Sequence, residues 1–158
     1  MKKLDCIWLI DDDEIAIYLA DKVIQKVDFS NDVEKFTSGN SALKHLEFCI
    51  NINENLPDLI LFDLNMPNMN GWEFIDKFLE IKGSETIPTF IFTSFISQKE
   101  IEKAKTYSCI KGVILKPLCI QKLNKILRLI DVDCMAPFEK VFVPHVHSSY
   151  YLNTGTGI

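Results

Sequence analysis

Short apolar runs alternate with longer amphipathic stretches along most of this chain, and that rhythm fits parallel strands joined by crossover helices. CIWLI at 6–10 is too short for a free helix and reads as a buried first strand. Ile15, Leu19, Val23 and Val27 then recur at helical spacing, with Asp12 or Asp13 available as an N-cap. DVEKF at 32–36 is a modest second strand, punctuated by Thr37, Ser38, Gly39 and Asn40 before a helix over 41–50. DLILFD at 58–63 is the clearest central strand, because a continuous apolar run suits a sheet covered on both faces. A loop rich in Asn, Met and Pro ends at Gly71 and leads into a helix bearing Trp72, Ile75, Phe78 and Leu79. TFIFT, ending at Thr93, and GVIL, ending before Lys116, supply the last two strands, and helices over 98–107 and 120–130 complete five βα units.

With 158 residues, 47% of them hydrophobic, the chain can bury one sizeable core but is short for two full domains. The expected organisation is one domain over 1–131 and a partly ordered or flexible tail over 132–158, where the strand-helix rhythm breaks and Pro137 and Pro144 interrupt. A net charge of −5 argues against direct DNA binding, since the attraction to phosphate is missing. Five cysteines without a C-x-x-C pair read as buried small hydrophobes in a reducing compartment. Aspartates interrupt MKKLDCIWLI too soon for a signal peptide or a membrane span, so the expected location is the cytoplasm.

In such a sheet, ligands gather beyond the carboxyl ends of the strands, where the strand order reverses. Asp11 and Asp12 follow the first strand, Asp63 ends the third, Thr93 the fourth, and Lys116 follows the fifth. Three carboxylates close together disfavour full ionisation unless a cation sits among them. Magnesium suits the set, with Asp11, Asp12, Asp63 and the backbone carbonyl of Asn65 as oxygen ligands. The metal and Lys116 would offset charge on a transferred phosphoryl group, and Thr93 would donate to one of its oxygens.

LIDDD, LILFDLNMPNMNGWEF, FIFTS and VILKPL, in that order, resemble the receiver domain of two-component response regulators across residues 4–130. The resemblance implies a doubly wound, flavodoxin-like α/β fold with strand order 2-1-3-4-5 and helices on both faces. It also implies phosphorylation of Asp63 by a histidine kinase or phosphotransfer protein, magnesium at Asp11, Asp12 and Asp63, phosphoryl contacts from Thr93 and Lys116, and a cis Lys116–Pro117 bond. A chain of this kind signals through a protein partner or a phosphorelay and is not an enzyme in the usual sense. One departure stands out: Val113 occupies the position where the family usually carries Tyr or Phe. A β-branched valine has no ring to swing, so the usual aromatic readout is not expected. Phe95, two residues past Thr93, is expected to shield the phosphoaspartate from water.

Other residues have plainer readings. Trp8, Trp72, Phe74 and Phe78 read as core or helix–sheet contacts, and His45 as solvent-facing. Ile101, Ala104 and Ile126 suit core and interface equally. His145 and His147 form an H-x-H pair without the further ligands a zinc site needs. Phe138, Phe142, Tyr150 and Tyr151 offer the tail a way to dock. Two other functions compete with the one the resemblance implies. A haloacid-dehalogenase-like phosphatase needs an acid two residues past its nucleophile, and the residue here is Asn65, whose amide supplies no proton at neutral pH. A pseudo-receiver scaffold, folded but never phosphorylated, is the second alternative, and Val113 is its main support.

Overall fold

A computed structural model describes residues 3–131. Its elements run β1 (Leu4–Ile10), α1 (Glu14–Lys26), β2 (Ser30–Phe36), α2 (Gly39–Asn51), β3 (Leu59–Phe62), α3 (Gly71–Glu80), β4 (Thr89–Thr93), α4 (Gln98–Ala104), β5 (Ile110–Leu115) and α5 (Ile120–Asp131), with one 3-10 turn at Ser84–Thr86. Side-chain caps set four of the helix starts. Asp13 accepts from the backbone N–H groups of Ile15 and Ala16, and Ser38 accepts from Ser41. Asn70 with Glu73, and Ser97 with Glu100, form reciprocal capping boxes.

All strand pairs are parallel, in the order β2-β1-β3-β4-β5. Alternate residues of each strand serve opposite faces. Ile7 and Leu9 of β1, with Leu59, Leu61, Phe90, Phe92 and Ile114, pack on α1 and α5 through Ile17, Ala20, Ile24, Leu123 and Ile126. Trp8, Ile10, Ile60, Phe62, Ile91 and Val113 pack on α2, α3 and α4 through Ala42, Leu46, Phe74, Phe78 and Ala104. Both faces are thus covered, which is why β3 is apolar at every position. Ile101, Ala104 and Ile126 belong to this interior, at 5% exposure or less.

The helix expected from Ile15, Leu19, Val23 and Val27 is α1, whose buried face is Ile17, Ala20, Asp21 and Ile24, while Ile15 and Leu19 are 71% and 51% exposed. Asp21 is inward, held by Lys35 Nζ at 2.6 Å and by Gln25 Nε2 at 3.0 Å. One expectation needs correction. His45 does not simply face solvent. Its ring lies 5.3 Å from Trp8 and 5.6 Å from Phe36, and its Nε2 is 2.9 Å from Glu34 Oε2. An imidazole can cover apolar rings with its body while its nitrogen meets a carboxylate at the rim. The tail over 132–158, with Cys134, Phe138, Phe142, His145, His147, Tyr150 and Tyr151, lies outside the described residues.

Candidate functional site

Strand order reverses between β1 and β3, and the carboxyl ends of these strands are drawn together by backbone bonds. Asp63 N–H donates to Ile10 O at 2.9 Å, Asp11 N–H to Phe36 O at 3.0 Å, and Lys116 N–H to Thr93 O at 2.8 Å. The residues following four strands therefore share one edge. Carboxylate oxygens of Asp11, Asp12 and Asp63 lie within 4.8 Å of one another. Lys116 Nζ lies 3.0 Å from Asp63 Oδ2 and 2.5 Å from Asp11 Oδ2. It also stands 5.6 Å above the Phe92 ring, a contact the sequence pattern gave no hint of. The Lys116–Pro117 bond is cis.

Burial makes these charges strongly interdependent. Asp11 is 1% and Asp63 6% exposed, while Asp12 faces solvent. Desolvation raises the pKa of Asp11 above the ordinary carboxylate range, despite the opposing effect of Lys116 and of the Asp13 backbone N–H. Burial pulls the Lys116 ammonium the other way, but hydrogen bonds and charge from Asp11 and Asp63 outweigh it and hold the pKa above the usual lysine value.

The donor set fits a small hard cation. Three carboxylates converge, and the buried Asp11 Oδ2 is held by the Lys116 ammonium at 2.5 Å. Oxygen-only donors of this kind suit magnesium. Asn65 sits at the pocket through its backbone, whose N–H donates to Asp63 Oδ1 at 3.3 Å.

Thr93 is fully buried, and its hydroxyl donates to the carbonyl of Phe95 at 3.2 Å. The phosphate-oxygen donor expected from the sequence is thus engaged with the loop that leads to α4. The Phe95 ring is 72% exposed, so shielding of the pocket would require that loop to fold over it. Val113 is buried on β5 opposite Ile91, with nothing at its position to swing.

The role of Gly71 is larger than a helix start. A Cβ there would stand 2.5 Å from Asp63 O and 2.8 Å from Leu64 Cα, and its N–H donates to Leu64 O at 2.9 Å. Only glycine lets α3 approach the backbone of the Asp63 loop so closely. The loop sequence NMNG hints at a turn there but not at the approach.

A second group, Cys6, Asp32 and Glu34, lies near the β1–β2 edge. Burial, then Glu34 and Asp32, push the Cys6 thiol up to about 12, so it is protonated at neutral pH.

A family model described as the response regulator receiver domain matches residues 7–128. Among curated proteins, a probable methanogenesis regulatory protein of Methanothrix harundinacea is 23% identical over 119 residues, covering 75% of this chain and 76% of that protein. A two-component response regulator of Arabidopsis thaliana is 28% identical over 118 residues, covering 74% of this chain but 18% of the plant protein, so the match spans under a fifth of that relative. A solved two-component response regulator from Cytophaga hutchinsonii superposes with a TM-score of 0.75 at 28% identity, covering 82% of this chain and 98% of that one.

Proposed function

The chain belongs to the response regulator receiver domain family, and from that premise we propose that Asp63 is its phosphoacceptor, fed by a histidine kinase or a histidine phosphotransfer protein. Receiver domains are signalling domains, phosphorylated on aspartate and generally magnesium-binding at an acidic pocket. The observation that carries the reading is the convergence of Asp11, Asp12 and Asp63 within 4.8 Å, with the Lys116 ammonium 3.0 Å from Asp63.

In the proposed transfer, a carboxylate oxygen of Asp63 forms a bond to phosphorus as the P–N bond of the phosphohistidine breaks. The leaving imidazole nitrogen recovers a proton from solvent, and Asp63 becomes a mixed anhydride. Lys116 turns its ammonium to a phosphoryl oxygen as a point charge. Asp11, Asp12, Asp63 and the Asn65 backbone carbonyl would hold magnesium, which would supply positive charge beside the phosphoryl oxygens. The Thr93 hydroxyl then exchanges the Phe95 carbonyl for a phosphate oxygen, freeing the loop before α4. With Val113 buried and ringless, that loop is the route by which the state of Asp63 reaches a partner surface. Output follows by protein contact or by onward transfer to another histidine.

One observation favours a second reading, a scaffold that is never phosphorylated: the aromatic readout position is filled by Val113. Incubation with acetyl phosphate and magnesium, followed by intact mass, separates the two. The phosphoacceptor reading expects one added phosphoryl group in wild type and none in Asp63→Asn; no addition in wild type favours the scaffold.

A further inference from the structure

Lys122 lies in the first turn of α5, where the helix dipole disfavours a cation and where no acidic residue is present to offset it. Its ammonium is nonetheless well satisfied. Nζ donates to Leu115 O at 2.6 Å and to Pro117 O at 2.7 Å. Those carbonyls belong to the residues on either side of Lys116. On its other side the turn is fastened to β4, by the bond from Lys116 N–H to Thr93 O at 2.8 Å. The backbone origin of Lys116 is therefore held by α5 and by β4 together.

Lysine has a flexible four-carbon stem, so its head is only as well placed as the backbone that carries it. The Lys116 ammonium has to serve Asp11 and Asp63 at once, and a small drift of the turn would break that double contact. Charge-assisted bonds to two carbonyls resist such drift better than neutral ones do.

We propose that Lys122 is the positioning residue for Lys116, clamping the β5–α5 turn through the carbonyls of Leu115 and Pro117. Its kinetic consequence rests on the reading of Asp63 as phosphoacceptor. The test uses the full chain with saturating acetyl phosphate and magnesium, comparing wild type, Lys122→Met and Lys122→Arg. Lys122→Met is expected to lower the maximal rate of phosphoryl incorporation about tenfold or more, since small misplacements of a catalytic group cost that much. Magnesium affinity by calorimetry should stay within about twofold, because Lys122 is bonded to carbonyls and the proposed metal ligands are other residues. Lys122→Arg, which can still donate to two carbonyls, should recover most of the rate.

A second readout needs no phosphoryl chemistry. The side-chain ε-carbon resonance of Lys116, assigned with Lys116→Arg, should move toward that of exposed lysines in Lys122→Met and return in Lys122→Arg. An unchanged rate with an unmoved Lys116 resonance in Lys122→Met overturns the clamp. If wild type takes up no phosphoryl group, the reading of Asp63 is what fails, and the resonance alone decides the role of Lys122.

Discussion

Replacing Gly71 with alanine tests the link between the α3 start and the Asp63 loop. The added carbon would meet two backbone atoms, Asp63 O at 2.5 Å and Leu64 Cα at 2.8 Å, with a third contact at Leu64 Cδ2, 3.0 Å away. No flexible side-chain tip can absorb the first two overlaps, so the loop or the helix must move by about 0.9 Å to reach ordinary contact at 3.4 Å. Overpacking of this kind costs about 1–3 kcal/mol. For a domain of this size the melting temperature falls roughly 3–5 °C per kcal/mol, giving a drop of about 3–15 °C. Gly83→Ala is the control. Its Cβ would meet nothing within 4 Å, and its φ of +96° is costly for alanine by about 1 kcal/mol. Both variants should lose stability in urea unfolding followed by circular dichroism. Only Gly71→Ala should also weaken magnesium binding by calorimetry, because the displaced backbone carries Asp63. Equal behaviour of the two variants in both assays would refute the close-approach argument.

Asp11→Asn should raise the melting temperature in the presence of a chelator, because burial already disfavours the charged carboxylate, and it should weaken magnesium binding; a lower melting temperature in chelator contradicts the electrostatic account. Lys35→Met leaves the inward Asp21 carboxylate without its cation and should cost about 1–3 kcal/mol in urea unfolding, toward the low end because Lys35 is half exposed; restoration of stability by a second change, Asp21→Leu, checks the cause. Cys6, with its thiol at about 12, should be alkylated very slowly in the folded protein, since its thiolate fraction at pH 8 is roughly one part in ten thousand. Because the thiolate rather than the thiol reacts, labelling should speed up as pH rises toward 12. Peptide mapping after timed labelling at pH 8 and pH 10 reads this directly, and rapid pH-independent labelling would contradict it.

Much of this fold is written in local pattern. The unbroken apolar run of β3 implies a strand buried on both faces, and the acids, hydroxyl and lysine that follow successive strands share an edge because parallel strands all end on the same side. Pattern fails where a polar group is placed inward by a partner distant in sequence. Asp21 is inward with Lys35 of β2 and Gln25 as its partners, and nothing in the spacing of α1's apolar residues marks that position as buried. His45 of α2 is drawn onto Phe36 of the preceding strand and onto Trp8 of β1, which is remote in the chain. The turn at Ser84–Thr86 was too short to leave a periodic signal, although the Ser84 hydroxyl anchors it to the carbonyl of Phe78 at 2.5 Å. Residue type and spacing likewise located Asp11, Asp12, Asp63 and Lys116. They were silent on the Thr93 hydroxyl bonding to Phe95 O, and on Lys122 bridging Leu115 and Pro117, because such contacts depend on loop geometry.

The central claim concerns one carboxylate, and chemical trapping addresses it at residue level. Borohydride reduces an acyl phosphate on aspartate to homoserine, leaving a permanent mark where the phosphoryl group had been. After treatment with acetyl phosphate and magnesium, the account predicts homoserine at position 63 and its absence when magnesium is chelated. Homoserine at another aspartate, or none at any position in a protein shown to be folded, would contradict it.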